Sequence, residues 1–413
     1  MNATFSETIA EFMVKHRAAQ FALLKKLVQI DTETRSDALM KASDKVAALL
    51  EDLDFEVERH APDAERLEAA GIAGVQNLVA RKQFGHGPVL ALVCHVDTVE
   101  VPPGWTFEPL GGDIDDGSLY GLGAVSGKGS LAAQVFAVLA LEQVGVPVTG
   151  AVELHISFDG ESGGALGAKW LLAEEIVKPD MVIAGGPARA VATQSTGTML
   201  MDVEVHGKAA PAHAPDRGTD ALEAATHALS RLYQFRGGLK AHASATPGIG
   251  APTMVVEHIS GGHESGVPEF VAFRIDRRIL PDEDPAQVEK QLTNMIGSTI
   301  AKMPGARCRI RRSVMIPAMG GDESTAPLVD ALEHRLAAKI DTMQGPYGIA
   351  YDHEGRHYAA AGIPTVMYGA GPLDPVAAGL HGADEHLVLD DLRLATEVLA
   401  LSAMDILSGK MSA

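Results

Sequence analysis

Val89-Leu90-Ala91-Leu92-Val93-Cys94-His95-Val96-Asp97 is an apolar run of strand length that ends on a histidine, with a carboxylate two positions further on. A run apolar on both faces reads as a strand buried on both faces, the habit of an α/β sheet covered by helices. In such sheets ligands collect at the carboxyl ends of the strands. His95 therefore reads either as a metal ligand whose ring is oriented by Asp97 or as a solvated strand-end histidine.

Outward from this run, Ile9, Phe12, Met13, Phe21, Leu23, Leu24 and Leu27 recur at helical spacing and predict an amphipathic helix over 4–28, with a second over 38–53. Strands are predicted at 55–59, 77–81, 88–94 and 152–157, with a glycine-rich loop and an apolar helix over 131–143 before the last. A helix at 170–174 and a short strand at 181–184 follow. The rhythm then changes to strand 198–205, helix 221–234, strands 253–259 and 271–279, helix 285–302 and strand 308–314. That order, β-α-β-β-α-β, is the ferredoxin-like split unit. After Pro317 the α/β pattern resumes with helix 326–338, strand 365–368 and helix 390–407. The expected design is an α/β domain in two segments, 1–193 and 316–413, interrupted by an inserted α+β domain over 194–315.

Composition narrows the function. Lys and Arg number 34 against 54 Asp and Glu, a formal charge of −20, and no basic run exceeds Arg311-Arg312 with its neighbours. Nucleic acid and anionic membrane are not expected partners. Two cysteines, Cys94 and Cys308, stand far apart, and the chain opens without a basic-then-apolar leader, so a reducing cytoplasm is the expected location. No apolar stretch is expected to reach the roughly 18 to 20 residues that span a bilayer.

Four further stretches carry chemistry. Asp115-Asp116-Gly117-Ser118-Leu119-Tyr120-Gly121-Leu122-Gly123-Ala124-Val125-Ser126-Gly127-Lys128-Gly129 is glycine-rich but lacks the phosphate-loop spacing. The others are Ile156-Ser157-Phe158-Asp159-Gly160-Glu161-Ser162-Gly163-Gly164, then Ile183-Ala184-Gly185-Gly186-Pro187, and Leu380-His381-Gly382-Ala383-Asp384-Glu385. Together with the His95 strand they resemble the dinuclear-zinc amidohydrolases and exopeptidases, the family of acetylornithine deacetylase, succinyl-diaminopimelate desuccinylase, aminoacylase and glutamate carboxypeptidase. The resemblance covers nearly the whole chain. It implies a zinc-exopeptidase-like mixed sheet flanked by helices, interrupted by a ferredoxin-like lid and dimerisation domain.

Residue by residue, the resemblance makes His95 and His381 metal ligands, Asp97 the group orienting His95, and Glu161 a ligand. It also exposes three departures: Ser126 stands where the family bridges its metals with Asp, Gly160 where it has a general-base Glu, and Gly186 where it has an acidic ligand. A catalytic zinc normally has three protein ligands, and two-metal chemistry needs a bridge. The expectation is one divalent metal, zinc before others, on His95, Glu161 and His381, or none. A substitute base is sought among Asp159, Glu354, His353 and Ser126, the last also a possible nucleophile. His213 matches the family histidine that reaches a partner subunit's site to stabilise an oxyanion. Arg278 and Arg356 are candidates for clamping a substrate carboxylate, and Glu354 is a further substrate-binding candidate.

The expected function is hydrolysis of an amide-type C–N bond in a small carboxylate-bearing substrate by a homodimer. The alternatives are a non-catalytic member that binds a small molecule, and a metal-independent enzyme using His95, Asp97 and Ser126.

Overall fold

The strand Val89–His95 lies inside a mixed sheet. Six of its strands run in the order Glu56–His60, Asn77–Gln83, Ala151–Ser157, Val89–His95, Met181–Ala184 and Thr365–Met367. The first two pairings are antiparallel and the other three parallel. The computed structural model describes residues 4–409 apart from 35, 37–38, 146–147, 342–344 and 352.

Alternation along Ala151–Ser157 shows how the two faces are used. Val152, Leu154 and Ile156 enter the main apolar core with Leu131, Val135 and Leu399, while Glu153, His155 and Ser157 point to the other face, as a period of two requires. There His155 meets the Tyr358 hydroxyl at 2.9 Å, and Ser157 donates to Glu354. The core face is covered by helices Phe5–Val28, Gly129–Val144, Ala326–Ala337 and Leu389–Leu407, which pack on one another. The first starts at a capping box: Thr4 accepts from the Glu7 amide, and the Glu7 carboxylate accepts from the Thr4 amide.

Two compact units divide the chain: Met1–Thr193 with Gly321–Pro346 and His353–Ala413, and Gln194–Gly320 with Tyr347–Asp352. The second holds a four-stranded antiparallel sheet, ordered Met254–Gly261, Phe270–Ile279, Gly197–His206 and Arg307–Ile316. Its core joins Met201, Val203 and Ile275 to Ala225, Leu232, Leu292 and Ile296 from helices Ala221–Leu239 and Pro285–Ile300. This is the ferredoxin-like order.

One expectation is corrected. Residues 124–143 form a helical stretch of 20 residues with hydropathy 1.4, long and apolar enough to span a bilayer by length and composition. It escapes a search for unbroken apolar runs because Ser126, Lys128, Ser130 and Gln134 interrupt it. The stretch is 89% buried inside the protein, so its apolarity belongs to the core.

Candidate active site

His95 ends its strand with Nδ1 3.2 Å from Asp97 Oδ1. Asp97 is fully buried and has four partners: His95 and the Gly160 amide (2.9 Å) on Oδ1, the Glu161 amide (3.1 Å) and the Thr34 hydroxyl (2.8 Å) on Oδ2. Burial works against a charge on the His95 ring. The Asp97 hydrogen bond and the charges of Asp97, Glu161 and Glu354 overcome that and hold its pKa up at about 10.

His381 sits in the left-handed region, φ 57°, and its Nε2 lies 3.1 Å from Glu161 Oε1. That hydrogen bond raises the His381 pKa above its ordinary value. Four residues on, buried Glu385 accepts from three backbone amides of one turn: Val125 at 2.8 Å, Gly123 at 3.1 Å and Ser126 at 3.3 Å. The turn is π-helical, Ala124–Lys128, and leads into Gly129–Val144. Ser126 is thus placed by its backbone. Lys128 is buried, with Nζ on the carbonyls of Ile30 (3.0 Å) and Leu122 (3.4 Å), and burial lowers its pKa to about 8. Its ammonium serves the backbone rather than the Ser126 hydroxyl.

Behind this layer lie two buried carboxyl groups. Asp159 accepts from the Leu166 amide on Oδ2, leaves Oδ1 without a hydrogen bond, and is pushed up to about 7, chiefly by burial and then by Asp97. Glu354 accepts from Ser157, leaves Oε2 without one, and is also raised by burial. Arg356 is buried, with Nη2 on the Gly163 carbonyl. On the inserted unit, His213 is exposed at a turn, and Arg278 holds Asp276 through Nε (3.1 Å) and Nη2 (3.0 Å).

The three positions without their acids are packed in different ways. A Cβ on Gly160 would lie 2.2 Å from His95 Cγ; one on Gly186 would lie 2.8 Å from the Met367 carbonyl carbon and 2.9 Å from the Tyr368 amide nitrogen. Ser126 offers a hydroxyl in place of a bridging carboxylate. Among the described residues, no group of three or more His, Cys, Asp or Glu side chains is arranged to hold a metal ion. Glu161 and His381 come together; His95 does not complete a three-donor set with them. The residues present do not fit the two-ion centre, and they do not fit the single three-ligand site expected from the sequence.

Sequence reasoning did not single out Glu385 or Thr34. Glu385 carried a signal, lying four residues from His381 in a quoted motif; Thr34, 63 residues from Asp97, carried none.

A mixed-sheet α/β unit interrupted by a ferredoxin-like unit, with His-x-Asp at a strand end and a late histidine on a glutamate, defines a member of the exopeptidase and amidohydrolase class. The chain belongs to peptidase family M20/M25/M40, whose family model matches residues 91–405. It is 27% identical over 394 residues to an acetylornithine deacetylase of Myxococcus xanthus, covering 94% of this chain and 98% of the relative. Its fold is similar to a tripeptidase of Staphylococcus aureus (TM-score 0.73, 22% identity, 95% and 99% of the two chains). Human carnosine dipeptidase 1 is likewise similar (TM-score 0.74, 15% identity, 98% and 99%).

Proposed function

We propose that the protein is a hydrolase of the amide-type C–N bond in a small carboxylate-bearing substrate, working without the family's metal pair. The observation that carries this reading is the end-to-end likeness to acetylornithine deacetylase combined with the surviving Glu161–His381 pair at 3.1 Å. Here Glu161 takes the place of the base absent at Gly160. Its carboxylate, held by His381 at 3.1 Å, accepts the proton of an attacking water and returns it to the leaving nitrogen as the C–N bond breaks. Asp97 fixes His95, and Glu385 fixes the turn that carries Ser126. In a homodimer, His213 is the donor that a partner copy supplies. Cytoplasmic location is part of the same proposal, and Cys94 and Cys308 are both free thiols.

A panel of N-acyl amino acids, assayed with and without chelator, tests the reading. Chelator-insensitive cleavage that falls by about 10² to 10⁴ in Glu161→Gln supports it. A second reading, a non-catalytic member binding the same ligand class, is favoured by the imidazole packed over Gly160, the position of the family's base. It predicts saturable binding of the same panel with no cleavage.

A further inference from the structure

Five non-glycine residues among those described hold a positive φ, and two of them, His381 and Asp384, stand in one loop, each at 57°. That conformation costs an L-residue energy, so it persists only where the surroundings impose it. Within the loop the Gly382 amide donates to the Gly379 carbonyl (2.7 Å) and the His386 amide to the Ala378 carbonyl (3.0 Å). The Glu385 carboxylate ties the loop to the turn that carries Ser126.

Asp384 supplies a second, separate tie. Its Oδ1 accepts from the Thr106 amide (2.8 Å) and the Phe107 amide (3.2 Å), and its Oδ2 accepts from the Thr106 hydroxyl (2.7 Å). Bonds to an ionised carboxylate are the strong kind, and three of them fix its plane as well as its place. The segment it grips is itself anchored. The Phe107 ring stacks on Tyr120 at 4.0 Å, Tyr120 leans on His386 at 5.0 Å, and His386 Nδ1 donates to the Asp384 carbonyl at 2.9 Å. Tyr120 and His386 also face each other across the paired strands Ser118–Tyr120 and His386–Val388. These contacts close a circuit through Asp384, Phe107, Tyr120 and His386. His381 stands just ahead of it in the chain, and its Nε2 is the atom that reaches Glu161, at 3.1 Å.

We propose that Asp384 is a positioning residue for the hydrolysis: by gripping Thr106 and Phe107 it holds His381 where Nε2 meets Glu161. The inference deepens the reading of Glu161 as the base and rests on it, Asp384 acting through His381 alone.

Two substitutions at 384 and one at 106 test it in full-length protein labelled with ¹⁵N-histidine, the His381 ring signals being assigned with His381→Gln. Asp384→Gly keeps the left-handed backbone at no steric cost and removes the grip. Asp384→Asn keeps both, because asparagine adopts that conformation and its amide oxygen accepts. In Asp384→Gly the His381 signals should move, and kcat on the amide panel should fall about ten- to a hundredfold with KM within about twofold of wild type. In Asp384→Asn both should stay near wild type. Thr106→Val leaves the late loop's sequence untouched and removes one of the three donors, so it should move the same signals by a smaller amount and reads the same contact if the glycine variant fails to fold. Unmoved His381 signals in a folded Asp384→Gly or in Thr106→Val, or an Asp384→Asn as impaired as Asp384→Gly, would overturn the proposal. The hydrolase reading is judged separately: a wild type that cleaves nothing removes it while moved ring signals keep the clamp, and cleavage with unmoved signals does the reverse.

Discussion

Gly186 and Gly160 both stand where relatives carry acids, yet different neighbours close them. At Gly160 the obstacle is a side chain, which can rotate away. At Gly186 it is the backbone of Met367 and Tyr368, held by the parallel pairing of Thr365–Met367 with Met181–Ala184. Gly186→Ala should therefore cost about 1–3 kcal/mol, the usual range for overpacking, measured by urea unfolding; a neutral result would show that the strand yields. Asp159 gives a pH signature. Its folded pKa of about 7 exceeds the ordinary carboxylate value, so the folded state keeps a proton that the unfolded chain releases. Its contribution to stability is greatest below the unfolded pKa and declines as pH rises towards 7. Asp159→Asn should flatten the fall in unfolding free energy between pH 5 and pH 8, and an unchanged slope would mean that another group titrates. Glu153 has the opposite sign. Burial resists its charge, but His155 and Arg81 outweigh burial and lower its pKa. Its stabilisation is present above the unfolded value and disappears as the solution is acidified through the folded one.

At the scale of elements, helices and strands with strong periodicity could be read from the sequence. The helix at Phe5–Val28 starts one residue later than expected and ends where expected, and the strand at Val89–His95 is displaced by one residue at each end. The short helices Ala64–Ala70 and Gly355–Ala360 and the strands Asp113–Asp115 and Ser118–Tyr120 have no counterpart among the expected elements. They are too short to show a period: the two strands pair with each other across the Asp116-Gly117 turn, Ala64–Ala70 lies between its Asp63 cap and a left-handed Gly71, and Gly355–Ala360 packs on Ala168–Ala173 and Thr365–Met367. The site divides in the same way. His95, Asp97, Glu161 and His381 stand in motifs, whereas the seating of the His95 ring over Gly160 depends on a rotamer that no spacing encodes. Helix Ala221–Leu239 offers a clean test of local propensity. Nothing lies within 4 Å of a Cβ built on Gly237, so Gly237→Ala should stabilise the protein by about 0.4–1 kcal/mol. A loss in thermal unfolding would reveal an unseen contact. Glu385 ties the His381 loop to the turn at Ala124–Lys128, and Glu385→Gln sets an amide against the three N–H groups. It should cost about 1–3 kcal/mol and increase hydrogen exchange at residues 123–126; protection equal to wild type would assign the turn's order to other contacts.

Taken as a whole, the molecule keeps the family's architecture while its donor set has changed. The mixed sheet still delivers His95 to a strand end, and the late loop still brings His381 to Glu161. Three replaced acids leave a site whose charges are balanced by hydrogen bonds: Asp97 by His95, Glu161 by His381, Glu385 by backbone amides. Such networks are stable only when each member finds a partner. The central claim is that this frame no longer assembles a metal pair. Elemental analysis of metal per chain tests that claim most directly, on protein purified without chelator and again after dialysis against zinc. The account predicts about one ion or fewer in both samples, and no change in His95→Ala. About two tightly held ions per chain, lost in His95→Ala and in His381→Ala, would contradict it.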